Sequence, residues 1–429
     1  MEQRVRRPTR LEGEVTPPGD KSISHRALIM NAVARGTARV TNLAPGEDLL
    51  STVGCLRALG VPLTASDGAW VVTGVGLAGL KEPSNVMDAG NSGTTMRLVS
   101  GVLAGQPFLS VLTGDGSLRS RPMGRVVQPL RLMGAQVWGR DGDTRAPLAI
   151  RGGKLRGIEY ALPVASAQLK SCLLLAGLFA QGATVLKEPA PSRDHTERLL
   201  RAMGVTVAHE ARSIRLEPPI SPLRALDIQV PGDMSAAAFW LVAGAIHPQA
   251  RITLRQVGMN PYRTGVLDVL RAMGARLKVG VERQVGAEPV ADITVESSEL
   301  RGTELGGDII PRTIDELPIL AVAAAMARGR TVIRDAAELR GKESDRIGAL
   351  VRELRRFGAQ VDEQPDGMTI EGRPTLEGTC CASHGDHRLA MSLAVAGLVA
   401  EGETSVDGAE AVNISYPSFW QDLSSLSVS

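Results

Sequence analysis

One short sequence occurs five times in this chain. "LRALGV" begins at Leu56, "LRLMGA" at Leu130, "LRAMGV" at Leu200, "LRAMGA" at Leu270 and "LRRFGA" at Leu354. Each closes an amphipathic helical pattern. Each also sets a glycine (Gly60, Gly134, Gly204, Gly274, Gly358) just past the helix, where a left-handed residue ends it and glycine carries no steric penalty. The glycines are about 70 to 84 residues apart, longer than common solenoid units. What repeats must be a whole supersecondary unit.

The third copy shows that unit most clearly. "SAQLKSCLLLAGLFAQ" reads as a helix, "ATVLKEP" as a strand, "HTERLLRAMG" as a helix, and "VTVAHE" with "SIRLEP" as a hairpin. Six such units fit, their first helices starting near Lys21, Ser92, Ser166, Met234, Asp315 and His387. These first helices are apolar nearly all round and should be buried, whereas the second helices carry one stripe and should lie outside. The sixth unit lacks its hairpin, and the N-terminal strand pattern "TRLEGEV" has no unit of its own. That strand is expected to complete the sixth. "PGDKSISHR" at the first unit is echoed by "PGDMSAAAF" at the fourth, which suggests three units plus three. The expected domains are residues 20–230, and residues 1–19 with 231–429, hinged near Gly19 and Pro231.

The balance of 48 Lys and Arg against 46 Asp and Glu, with 3% aromatics, argues against a nucleic-acid binder. No apolar run reaches membrane-spanning length. The opening residues lack the apolar core of a secretory signal. Cys55, Cys172, Cys380 and Cys381 match no metal spacing and suit a reducing cytoplasm.

"GVGLAG" at 74–79 matches a dinucleotide fingerprint, but Pro83 forbids the helix that reading needs. His384 and His387 sit beside Arg388, which would repel a metal ion. The stronger signal is positional. The helix starts "DKSISHR", "NSGTTMR", "SAQLKS", "DMSAAA", "IDELP" and "GDHR" gather Lys21, Arg26, Arg97 and Arg388 with small polar residues. Asp20 or Ser22 can cap the first of them. Helix N-termini with added cations suit anions, and two domains facing each other would bring these ends over a cleft. "RSRPMGR" adds Arg119, Arg121 and Arg125, and "GKESDR" adds Lys342, Glu343 and Arg346. Asp315 and Glu316 could cap a helix or, if partly desolvated, supply a base.

"PGDKSISHRAL", "NSGTTMR", "RPMGR", "SAQLKS", "IDELPILAVAAA", "KESDR" and "DHRLAMS" together resemble the 5-enolpyruvylshikimate-3-phosphate synthases, from about Leu11 to Leu426. The resemblance implies an α/β fold, a two-domain inside-out α/β barrel whose domains each hold three βαβαββ repeats and close over substrate. It implies transfer of the carboxyvinyl group of phosphoenolpyruvate to the 5-hydroxyl of shikimate 3-phosphate, through a tetrahedral intermediate and with release of phosphate. It implies a cytoplasmic monomer of the shikimate pathway, with no metal or organic cofactor and no nucleic-acid or membrane partner. By the same resemblance, shikimate 3-phosphate meets Lys21, Ser22, Arg26, Ser166, Gln168, Ser192, Arg193, Asp315 and Lys342. Phosphoenolpyruvate meets Lys21, Asn91, Gly93, Arg121, Gln168, Arg346 and Arg388. Asp315 is the candidate base, and Glu343 and Lys21 are candidates for proton delivery.

The chain departs from many relatives at Ala167, His195, Glu338 and Ile414. Ser192 and Arg193 stand in for a tyrosine near the shikimate phosphate, and Ile414 replaces a lysine. Gly93 leaves the phosphoenolpyruvate pocket wide, so sensitivity to glyphosate is expected. One rival reading is the related transferase acting on UDP-N-acetylglucosamine, but "LTGDGSLRSRP" lacks that enzyme's loop cysteine. The other is a two-lobed anion-binding protein, which would gain nothing from Asp315 and Glu343.

Overall fold

The computed structural model describes residues 1–428. Contacts divide the chain into two compact units. Gly19–Val230 with Val285–Glu288 form one; Met1–Pro18, Pro231–Gln284 and the residues from Pro289 onward form the other. Each has its own hydrophobic core. The fold is α/β, with three repeats in each unit.

The six first helices are α1 (Lys21–Ala32), α2 (Gly93–Ala104), α3 (Ala167–Gly177), α4 (Met234–Ile246), α5 (Leu317–Ala325) and α6 (His387–Gly397). Every residue of α2, α4, α5 and α6 is buried. Their all-round apolar composition left no face for water. Where α2 passes α3, a Cβ on Gly101 would lie 2.2 Å from the Cys172 carbonyl oxygen, so glycine lets the two backbones touch. The outer helices keep one buried stripe and end as the repeat requires. Gly60, Gly134, Gly204, Gly274 and Gly358 all take positive φ.

In four of its five copies the arginine of the repeated motif has a task that its spacing did not disclose. Arg57 donates to the Leu63 carbonyl, Arg131 to Val137, Arg201 to Val207 and Arg355 to Val361, at 2.8–2.9 Å and always six residues ahead. Each such bond ties the end of an outer helix to the strand that follows it.

Each repeat forms one small sheet. In the second, Met87–Asp88 runs parallel to Leu109–Thr113, which pairs antiparallel with Arg145–Arg151, itself paired with Gln136–Gly139. The leading strands of the first and fourth repeats are exchanged along the chain. Ile228–Gln229 pairs parallel with Arg35–Thr41, and Arg10–Val15 pairs parallel with Ala250–Gly258. This corrects the expected place of "TRLEGEV": it belongs to the fourth repeat. The sixth is completed by Glu2–Arg6, antiparallel to Glu403–Asp407.

No helix among the described residues is long and apolar enough to cross a membrane. Burial pushes the Cys55 and Cys381 thiols up to about 12, which makes them inert packing groups.

Candidate active site

Asp20, not Ser22, caps α1: its carboxylate accepts from the Ile23 N–H at 2.9 Å. That places Lys21 and Ser22, both half-buried, in the first turn. The Lys21 ammonium donates to Asp48 at 2.8 Å. Arg26, one turn deeper, is buried. It donates to the Thr196 hydroxyl, the Ser171 hydroxyl and the Ser22 carbonyl at 2.7–2.8 Å, joining α1 to α3 and to the outer helix His195–Ala202.

Ser92 caps α2, accepting from the Thr95 N–H at 3.1 Å. The turn before it is held by Arg121, which donates to the Asn91 carbonyl at 3.2 Å and to its side-chain oxygen at 2.6 Å. Gly93 opens the helix. A Cβ there would stand 2.6 Å from Arg97 Nη1 and 3.5 Å from Arg121 Nη1, so glycine lets two guanidinium groups pack against the first residue of the helix. Gln168, in the first turn of α3, accepts from Arg97 at 2.6 Å and donates to Thr94 at 3.0 Å. Ser166 caps α3 through the Leu169 N–H. The first turns of α1, α2 and α3 thus share one polar network in this unit.

Ser192 lies differently. Its side chain is buried and its hydroxyl donates to Glu188, while Arg193 beside it is half-buried. Behind them Lys170 is sealed from water between Glu188 at 3.2 Å and Glu197 at 2.8 Å. Burial alone would lower the Lys170 pKa, but the two carboxylates outweigh it and the net shift is upward. Burial raises the Glu188 pKa, only partly offset by Lys170.

His25 is fully buried, and desolvation together with neighbouring Lys21 and Arg26 lowers its pKa to about 3. It stays neutral and bonds Thr52 at 2.7 Å. Thr52 bonds Thr95 at 2.6 Å, which donates to Ser92 at 2.8 Å. The chain of hydroxyls links α1 to the cap of α2.

In the other unit, Asp315, Lys342, Glu343, Arg346 and Arg388 come together. Arg346 is 1% exposed and donates to Asp386 at 2.7 and 3.2 Å and to Glu343 at 2.6 Å. Asp315 lies 3.6 Å from Lys342, 3.7 Å from Arg346 and 4.0 Å from Arg388, which also donates to the Asp315 carbonyl at 3.0 Å. Burial works against the Arg346 charge, yet Asp386 and Glu343 outweigh it and raise its pKa. Its Nη1 is buried with no hydrogen-bond acceptor among the described residues. A guanidinium N–H left this way costs about 1–3 kcal/mol unless an oxyanion arrives.

Asp386 was missed by sequence reasoning, which took "GDHR" only as a helix start. It does cap α6, through the Arg388 N–H at 2.9 Å, and the same carboxylate holds Arg346. Asp48 was missed because "GEDLL" reads as an ordinary acidic first turn. His384 bonds Glu353 at 2.8 Å, and no cluster of metal-ligating side chains exists among the described residues. No helix follows "GVGLAG" before α2. Ile414 is half-buried at the end of a short 3₁₀ turn.

Residues 5–423 match the family described as EPSP synthase (3-phosphoshikimate 1-carboxyvinyltransferase). A 3-phosphoshikimate 1-carboxyvinyltransferase of Herpetosiphon aurantiacus is 57% identical over 423 residues, 98% of each chain. The solved EPSP synthase of Acinetobacter baumannii superposes with a TM-score of 0.88 at 45% identity, covering 100% of this chain and 99% of its own. The enolpyruvyl transferase NikO of Streptomyces tendae shares the fold at 18% identity, with a TM-score of 0.79 over 99% of this chain and 96% of its own.

Proposed function

The chain belongs to the EPSP synthase family, and from that premise we propose how its own residues carry the family's reaction. The protein is a transferase of the shikimate pathway. It moves the carboxyvinyl group of phosphoenolpyruvate to the 5-hydroxyl of shikimate 3-phosphate and releases phosphate.

In our reading Lys21, Ser22, Arg26, Ser166, Gln168, Arg193 and Lys342 receive shikimate 3-phosphate. Ser192 acts by shaping its loop, since its hydroxyl proton is committed to Glu188. Arg121, Arg346 and Arg388, with Lys21, Gln168 and the Asn91–Gly93 turn, receive phosphoenolpyruvate. Arginine suits this because its planar fork meets carboxylate and phosphate oxygens in pairs. Protonation of the methylene carbon, from Glu343 or Lys21, makes C2 electrophilic. The 5-hydroxyl oxygen bonds to C2 while Asp315 takes its proton, giving the tetrahedral ketal. Loss of a methyl proton and of phosphate then restores the double bond. Each well-placed acid or base contributes about 10²–10⁴ in rate. The surrounding cations stabilise developing negative charge.

The observation that carries this reading is Arg346 Nη1, a buried cationic donor awaiting an acceptor 3.7 Å from the carboxylate assigned as base. Residues 20–230, and 1–19 with 231–429, would act as the two lobes of a cytoplasmic monomer. The test is phosphate release from phosphoenolpyruvate with shikimate 3-phosphate, and separately with UDP-N-acetylglucosamine. Turnover with the first alone is expected. Asp315→Ala should keep shikimate 3-phosphate binding and lose at least a hundredfold in kcat; retained turnover would remove Asp315 from the role of base.

A further inference from the structure

Lys170 stands one turn inside α3, behind the residues assigned to substrate, and its side chain is 1% exposed. Its partners mark out a single stretch of chain. Glu188 follows the strand Thr184–Lys187, and Glu197 lies in the first turn of the outer helix His195–Ala202. Between them runs the loop that carries Ser192 and Arg193. Lys170 Nζ reaches Glu188 at 3.2 Å, Glu197 at 2.8 Å and, within the loop, the Ser192 carbonyl at 3.1 Å. One ammonium therefore grips a loop at both ends and in the middle. The Ser192 hydroxyl adds a fourth tie, to Glu188.

Stability does not account for this arrangement. Two buried carboxylates share one cation, and Glu197 Oε2 finds no hydrogen-bond partner among the described residues. Apolar side chains of similar volume hold a core as well as a buried ion cluster, or better. What apolar packing cannot do is fix a loop by directed bonds. The Ser192 hydroxyl is turned inward to Glu188, and the residue beside it, Arg193, is the one proposed above to receive the shikimate phosphate. Thr196 in the same segment accepts from Arg26 at 2.7 Å, so the loop is also registered against α1.

We infer that Lys170 is a positioning residue that sets Arg193 for recognition of the shikimate phosphate, with Glu188 and Glu197 as its handles. This rests on the function proposed above. The cluster governs discrimination between the phosphorylated substrate and the same ring without phosphate.

Titration calorimetry with shikimate 3-phosphate and with shikimate tests it in the full-length protein. Lys170→Met should weaken shikimate 3-phosphate binding at least tenfold while the Kd for shikimate stays within about twofold. The KM for phosphoenolpyruvate should stay within about threefold. Arg193→Ala should lose the same discrimination, and Lys170→Met with Arg193→Ala should lose no more than Arg193→Ala alone, because the two act through one contact. Glu197→Gln keeps the buried Lys170–Glu188 pair and decides the matter if Lys170→Met does not fold. It should cost several-fold in shikimate 3-phosphate affinity alone. Equal losses for both ligands, no loss in either folded variant, or fully additive losses in the double variant would overturn the inference. Wild-type protein that neither binds nor turns over shikimate 3-phosphate would overturn the proposed function itself, a separate result.

Discussion

Asp386→Asn is the sharpest perturbation of the C-terminal unit. The Asp386 side chain is 0% exposed, accepts two bonds from Arg346, a third from Ser344 at 3.1 Å, and caps α6. Asparagine preserves the volume and caps a helix as well as aspartate does. It removes the negative charge and turns an amide toward a buried guanidinium. Breaking a buried ion pair from one side costs about 3–5 kcal/mol. Glu343 remains bonded to Arg346 at 2.6 Å, and one asparagine oxygen can still accept, so about 2–3 kcal/mol is expected here. In a unit of this size that is a fall of about 5–10 °C in Tm. Arg346 would then lean toward Glu343, and the KM for phosphoenolpyruvate should rise about tenfold while shikimate 3-phosphate affinity holds. The control is Asp345→Asn, the same chemical change one residue before α6's partner helix Arg346–Arg356. Asp345 also caps its helix, through the Gly348 N–H, but pairs with Arg340 at the surface, and exposed pairs contribute about 0–1 kcal/mol. Calorimetric unfolding and phosphate-release kinetics on both variants decide it. Equal shifts in Tm, or an Asp386→Asn protein with wild-type Tm and KM, would refute the claim that this carboxylate holds Arg346 in place.

Gly93→Ala would put a methyl group 2.6 Å from Arg97 Nη1; Arg97 must shift, so the KM for phosphoenolpyruvate should rise several-fold and glyphosate inhibition should weaken by more. An unchanged KM would show that Arg97 yields without consequence. His25 makes stability depend on acid. Its folded pKa of about 3 lies below the usual 6.5, so the unfolded chain binds the extra proton in between, and stability falls as pH drops from about 6.5 toward 3, by up to about 1.4 kcal/mol per unit. His25→Gln should flatten that part of the urea-unfolding profile, and an unchanged slope would assign the acid sensitivity elsewhere. Tyr416→Phe takes away the acceptor of the buried Trp240 indole N–H, now 2.9 Å away, and should cost about 1–3 kcal/mol in urea unfolding with kcat unaltered.

The repeat was legible because its glycines and apolar helices answer to local rules: a helix must end, and an all-apolar helix must be buried. The strand Glu2–Arg6 was not legible. Only Val5 of its five residues is buried, so "EQRVR" shows no alternation, and its partner lies some 400 residues away. The exchange of leading strands escaped for the same reason. Strand pairing across the whole chain leaves no mark in either segment. Among site residues, cations at helix starts stood out because they oppose the helix dipole. Lys170, Asp48 and Asp386 did not stand out. A lysine one turn into an apolar helix reads as a solvated end, and an acid before a helix reads as a cap. Only the folded chain shows that Asp386 is both a cap and a counter-ion.

The caps also explain why Asp315 can be different. Asp20, Ser92, Ser166, Asp233 and Asp386 each accept a hydrogen bond from the helix they precede. At α5 the preceding residue, Glu316, makes no such bond. Pro318 in its first turn brings no N–H that needs one. Glu316 instead accepts from the Ser235 hydroxyl in α4. With Pro318 easing the demand at the helix end, Asp315 is left facing Lys342, Arg346 and Arg388. The repeat that departs from the capping rule is the one that carries the candidate base. Moving a cap into it, by Glu316→Asp, exchanges the buried Ser235 bond for a cap bond and should disturb turnover, and a variant with wild-type kcat would separate the missing cap from the chemistry.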